Sequence, residues 1–137
     1  EMEPVESWLG RPFSIRGRIV RGDGRGRTIG VPTANVKTSN DLLPAIGVYA
    51  VRFRIVGEEK LHDGVANLGL RPTFDTNNPR PVLEVHLLDP PRRDLYDLDV
   101  EVDFVSMLRG ERRFDSAEAL VQQIHADLRT ARRKLSA

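Results

Sequence analysis

The sequence predicts a mainly β fold, an antiparallel barrel or sandwich, finished by one C-terminal amphipathic α-helix. Two observations carry this. From about residue 13 to 105, short runs with two-residue alternation are separated by Gly and Pro clusters such as "GDGRGRTIG", "LLPAIG" and "DPPRRD", with no helical pattern between them. After residue 114 the apolar period lengthens to that of a helix. A chain of 137 residues is long enough to enclose one core and too short for two.

The elements follow in order. Residues 1–9 read as a linker or short N-terminal helix, and the domain proper as 10–137. "FSIRGRIV" (13–20) sets Phe13 and Ile15 on one parity. "VYAVRFRIV" (48–56) turns Tyr49, Val51, Phe53 and Ile55 one way and Arg52 and Arg54 the other. "LHDGVANL" (61–68) is a weaker strand. "PVLEVHLLD" (81–89) alternates Leu83, Val85 and Leu87 against Val82, Glu84 and His86, and "LDVEVDFV" (98–105) alternates apolar residues against three acids. The helix "DSAEALVQQIHADLRTARRKL" carries Leu120, Ile124, Leu128, Ala131 and Leu135 on one stripe. Asp115 and Glu118 form a capping-box pattern at its start, and Arg132, Arg133 and Lys134 suit the dipole at its end. Such a helix is expected to pack across the barrel, over one mouth.

Composition excludes several functions. There are no cysteines, so disulfides, thiolate metal sites and thiol nucleophiles are out. No apolar run reaches the ~18 residues of a membrane span and the first ten residues lack a signal-peptide core, so a cytoplasmic protein without membrane partners is expected. The acidic opening before "ESWLGRPF" suggests a domain cut from a longer polypeptide. The net charge of +1 gives no general attraction to nucleic acid, yet Gly10 to Lys37 holds seven basic residues and one acid. That local excess suits an anion.

The anion would sit at "RGDGRGRTIGVPTANV" (21–36). A Walker A loop is absent, and the dinucleotide fingerprint fails because Ile29 stands where the third glycine belongs. Pro32 would interrupt the helix that either motif needs. What remains is a loop whose glycines let backbone N–H groups converge on phosphate while Arg21, Arg25 and Arg27 supply charge. A soluble hairpin tip is the alternative. Thr33 and Asn35 lie two apart, so in an extended segment they point the same way and offer two hard neutral oxygens to Mg²⁺. Alternatively they only bond local backbone in a turn.

The stretches "GRPFSIRGRIVRGDGRGRTIGVPTANV", "LLPAIGVYAV", "GVANLGLRPTF", "LEVHLLD", "LYD" and "LRGERRFDSAEALVQQIHADL" resemble, in order and spacing, the riboflavin kinase (flavokinase) family, most closely the C-terminal kinase module of bacterial bifunctional FAD synthetases. The resemblance runs from Gly10 to Leu135. It implies a six-stranded Greek-key barrel with a C-terminal helix and the reaction of ATP with riboflavin, giving FMN and ADP with Mg²⁺. Thr33 and Asn35 carry over as metal and phosphate contacts, Gly22, Gly24, Arg25, Gly26, Arg27 and Thr28 as the flap over the nucleotide phosphates, and Pro32 as a further ATP-binding residue. Tyr96 falls near the adenine and Glu84 on the catalytic glutamate. Arg109, Glu111 and Phe114 fall on the flavin site.

Each assignment has a plainer counterpart: Glu84 as a surface acid on its strand, His86 as a hydrogen-bonded structural histidine, Phe114 as a staple for a helix capped by Asp115. Two departures from the family stand out. Asp97 occupies a usual glycine after the Tyr of "LY", and Val31 a frequent aromatic. No adenylyltransferase motif occurs in the 137 residues, so the expected product is FMN, with a preceding FMN adenylyltransferase domain expected in the full-length protein and a monomer for the isolated module. A non-catalytic flavin-binding module is the alternative function. An oligonucleotide binder fits poorly, since aromatics are 6% of the chain and do not interleave with the arginines.

Overall fold

A computed structural model of the chain describes residues 13–20, 33–38, 43–71, 80–91, 93–110 and 112–136. Six strands are present: β1 (Phe13–Val20), β2 (Ala34–Thr38), β3 (Gly47–Ile55), β4 (Leu61–Arg71), β5 (Arg80–Leu87) and β6 (Asp99–Arg109), followed by helix α1 (Ala117–Ser136). They close into an antiparallel barrel in the order β1-β2-β5-β4-β3-β6. The neighbours β2–β5 and β3–β6 are not consecutive, which is the crossing of a Greek key.

Alternation decides the wall. Ile15, Ile19, Tyr49, Phe53, Leu83 and Phe104 point inward and are almost fully buried, so the lumen is a packed core and not a channel. Tyr49 donates its hydroxyl hydrogen to the Ala45 carbonyl and meets Phe104 edge to face, centroids 5.0 Å apart. The three outward acids of β6 find partners across the ladder: Asp103 accepts from Ser14, Glu101 pairs with Arg16 and Arg54, and Asp99 with Arg18 at 3.0 Å. Alternating acids on one strand and arginines on its neighbours thus line an exposed face whose pairs fix register more than they add stability.

One strand went unread and two expectations need correction. β2 does not announce itself as a strand, because only Ala34 and Val36 alternate apolar within its five residues. The helix does not lie over a mouth. Ala131 and Leu135 pack on Val48, Ala50 and Val65, which face outward on β3 and β4, so α1 covers the outer wall. That is why β3 is buried on both faces at its start. The helix cap is Ser116 rather than Asp115: the Ser116 hydroxyl accepts the Ala119 N–H at 3.1 Å.

Close approach explains one glycine and a turn explains an oddity. A Cβ on Gly17 would lie 2.6 Å from the Lys37 carbonyl oxygen, where β1 crosses β2. Asp97 has φ 65°, in the left-handed region, at the third position of a turn closed by Leu98 N–H to Leu95 O. Asp is among the non-glycine residues that tolerate that conformation best.

Candidate active site

Register brings the sequence motifs together. Asn35 of β2 lies opposite Glu84 of β5, and Glu84 lies opposite Asn67 of β4. The same row continues from Asn67 to Val48 of β3 and from Val48 to Arg109 of β6. Ala34, Val36, Leu83, Val85, Ala66 and Leu68 belong to the core, so their neighbours in this row face outward. Five strands therefore contribute one transverse strip on the barrel's outer wall, with Asn35 at one end, Glu84 beside it, and Arg109 at the other. Three strand spacings separate Glu84 from Arg109, roughly 14 Å.

At the Asn35 end, Thr33 shares the outward parity and its Oγ1 lies 3.2 Å from His86 Nδ1, a hydrogen bond whose direction follows the imidazole tautomer. His86 is buried, two residues from Glu84 on the same face of β5. Sequence reading set His86 aside as a structural histidine. It does make a structural hydrogen bond, and its partner is the threonine singled out for the metal. Among the described residues there is no group of three or more His, Cys, Asp or Glu side chains able to hold a cation. Two neutral oxygens beside one carboxylate suit a hard cation that brings most of its ligands with it, as Mg²⁺ does when bound to phosphates and water.

Thr33 also borders a cleft of about 220 Å³ lined by Pro90, Pro91, Leu95 and Tyr96, with Arg93 and Asp94 at its polar side. The Leu95–Leu98 turn displays Tyr96, whose N–H is held by Asp94 Oδ1 at 2.9 Å. The turn is fastened to β1 by Asp97 N–H to Ile19 O at 2.8 Å and Ile19 N–H to Leu98 O at 3.0 Å. Tyr96 and Thr33 thus share one cavity although 63 residues of sequence separate them.

At the far end, Arg109 is engaged more heavily than sequence suggests. Its Nη2 and Nε donate to Asp127 of α1 at 2.8 and 3.1 Å, its Nη1 donates to Gly110 O, and its guanidinium stands 5.8 Å from the Phe114 ring centroid. Gln123 donates a further bond to Asp127, which is buried. A guanidinium carries five N–H groups, so two remain for a ligand. Phe114, half-buried, has the Arg109 and Arg112 guanidiniums 5.8 and 5.4 Å from its ring centroid. Gly22, Gly24, Arg25, Gly26, Arg27, Thr28, Pro32 and Glu111 lie outside the described residues.

Two residues in or against this strip escaped sequence reading. Asp127 had a signal, an acid set inside the apolar stripe of a helix between Ile124 and Leu128. Asn67 had none, because its place beside Glu84 depends on the β4–β5 register.

A family model described as "Flavokinase: Riboflavin kinase" matches residues 9–135. The bifunctional riboflavin kinase/FMN adenylyltransferase of Escherichia coli (strain K12) is 50% identical over 128 residues, covering 93% of this chain and 40% of that protein. The protein of the same name from Bacillus subtilis (strain 168) is 38% identical over 138 residues, covering 99% of this chain and 43% of its own length. This chain therefore spans about 40% of the length of the curated relatives it matches. A crystal structure described as a macrolide-efflux protein from Streptococcus pneumoniae superimposes with TM-score 0.81 at 36% identity, over 93% of this chain and 40% of that one. The riboflavin kinase of Trypanosoma brucei superimposes with TM-score 0.63 at 23% identity, over 91% of this chain and 80% of its own, a likeness of fold.

Proposed function

The chain belongs to the riboflavin kinase family, and we propose that it transfers the γ-phosphate of ATP to the terminal ribityl hydroxyl of riboflavin, giving FMN and ADP. The observation that carries this reading is the Asn35–Glu84 pairing, which sets a candidate base directly beside the oxygen pair suited to a metal nucleotide. On this reading Glu84 accepts the hydroxyl proton as that oxygen forms its bond to the γ-phosphorus and the bridging oxygen leaves with ADP. Thr33 and Asn35 would hold Mg²⁺, which would neutralise phosphate charge when bound. His86 holds the Thr33 hydroxyl, and so orients the oxygen it offers. The apolar cleft beside Tyr96 takes the adenine, and the glycines and arginines of the Gly22 to Thr28 stretch are the further phosphate contacts of this reading.

The ribityl end of the flavin is then at Glu84 and its ring system is directed toward Arg109, Glu111 and Phe114, clear of Val48, which α1 covers. The roughly 14 Å between Glu84 and Arg109 suits a tricyclic ring carrying a five-carbon chain. A ring stacked on Phe114 and a hydrogen bond from one free Arg109 N–H would fix its far end.

The test is chromatographic assay of riboflavin with ATP and Mg²⁺. Wild type makes FMN. Glu84→Gln, which keeps the shape and loses the base, is expected to lower turnover by about 10²-fold or more with riboflavin binding retained. Asn35→Ala is expected to raise the Mg²⁺ requirement, and Tyr96→Ala the KM for ATP. Unchanged turnover in Glu84→Gln removes Glu84 from the chemistry, and a folded wild type that binds riboflavin without making FMN overturns the kinase reading.

A further inference from the structure

Asn67 stands in the strip between the proposed base and the helix-covered Val48, with Glu84 opposite it on one side and Val48 on the other. Among the described residues its Oδ1 is the one buried side-chain oxygen or nitrogen without a hydrogen-bond partner. An orphaned carbonyl oxygen costs about 1–3 kcal/mol, so folded proteins keep one where something else supplies the donor. Neither neighbour in the row can supply it: Val48 has no polar atoms, and an ionised Glu84 carboxylate is acceptor only. The residue as a whole is half-buried, and a half-turn about χ2, a soft torsion in asparagine, exchanges the places of its amide oxygen and nitrogen.

We propose that Asn67 reads the polyol chain of the acceptor. Its Oδ1 accepts a hydrogen bond from a chain hydroxyl near the reacting one, and so sets the terminal hydroxyl in register with Glu84. The inference rests on riboflavin being the acceptor. Cross-strand neighbours on one face have Cβ atoms about 4.5–5.5 Å apart, a separation that lets one residue hold a hydroxyl while the next takes a proton from another on the same chain. Asn67 is thus a positioning and specificity residue. It selects acceptors bearing a hydroxylated side chain over flavins of the same ring with a plain alkyl substituent.

The experiment is fluorescence titration of wild type, Asn67→Leu and Asn67→Asp with riboflavin and with lumiflavin, which has the ring system and a methyl group in place of ribityl. Asn67→Leu is expected to weaken riboflavin roughly three- to tenfold, the range for one neutral hydrogen bond, and to leave lumiflavin unchanged. Asn67→Asp, which keeps the acceptor, is expected to stay within about threefold of wild type for riboflavin. In turnover, Asn67→Leu is expected to raise KM for riboflavin and not KM for ATP, a split that general loss of packing does not produce. Near-ultraviolet circular dichroism reports the fold of each variant, and Asn67→Ala carries the same comparison should the leucine variant lose it. Equal losses for both flavins, or no loss for either, overturn the proposal. A wild type that makes FMN with an unaffected Asn67→Leu sinks this inference alone. A wild type that neither binds riboflavin nor makes FMN sinks the kinase reading with it.

Discussion

Replacing Asp127 by alanine should loosen the molecule more than any change on its exposed ion-pair ladder. The Asp127 and Arg109 side chains are 7% and 18% exposed, and the pair shares bonds of 2.8 and 3.1 Å with a third from Gln123 at 2.9 Å. Removing one member of a buried pair leaves the other charge without compensation, which costs about 3–5 kcal/mol. Arg109 keeps its bond to Gly110 O, its place over Phe114 and some solvent, so the lower end applies, about 3 kcal/mol. For a domain of 137 residues each kcal/mol corresponds to about 4 °C, and Asp127→Ala is expected to melt about 12 °C below wild type by calorimetry or circular dichroism. The double variant Arg109→Met with Asp127→Leu, apolar and of similar volume, is expected to recover most of that loss. A fall below about 3 °C in the single variant, or a double variant no better than the single, refutes the reasoning. The same double variant tests the flavin assignment: stability regained with riboflavin affinity lost means that Arg109 serves ligand and helix together.

Other outcomes follow from single positions. Asp97→Gly removes a left-handed strain of about 1–2 kcal/mol and adds back part as chain entropy, so a rise of a few degrees in melting temperature is expected, and a fall would show that the Asp97 side chain contributes more than its backbone costs. Gly17→Ala drives a Cβ to 2.6 Å from both the Lys37 carbonyl oxygen and Val36 Cγ1, and is expected to cost about 1–3 kcal/mol in urea denaturation; a neutral result would mean that β1 and β2 separate freely. Burial, helped by the Lys60 charge and opposed by Glu58 and Asp63, holds the His62 imidazole below its ordinary range. The unfolded chain therefore takes up this proton first as pH falls through about 6.5, and stability should decline below that pH with a slope from His62 of at most about 1.4 kcal/mol per unit. His62→Gln is expected to flatten the decline, and an identical pH profile in the variant would exclude His62 as its source.

Much of the barrel was readable because burial on a closed wall enforces a two-residue period. β1 has the bounds its alternation predicts, and β3 starts one residue early. β2 was hidden because it is short and spends its outward positions on Asn35 and Lys37, and the second half of β6 because Ser106 and Arg109 break the alternation while β3 slips register against it. Among site residues, the shared parity of Thr33 and Asn35 was legible from their spacing. That Asn35 faces Glu84 was not, since 49 residues separate them and only strand order and register join them. The grip of Asp127 on Arg109 was equally invisible, because it needs the helix on the outer wall where a plain reading placed it over a mouth.

Closure of the ring has a consequence for how the chain is made. Every strand but one can begin pairing with a partner close in sequence or newly arrived, yet the seam between β1 and β6 joins Arg18 to Asp99 across 81 residues. At ~5–20 residues per second on a ribosome, β1 waits roughly 4–16 s for that partner to be synthesised. During that interval the sheet's two edges, β1 and β3, both lack an occupant, and on β1 the alternating Arg16 and Arg18 are the charges that deter another chain from taking the place. The seam is then sealed by the strand that ends in Arg109, so the far end of the substrate strip is among the last parts of the wall to exist.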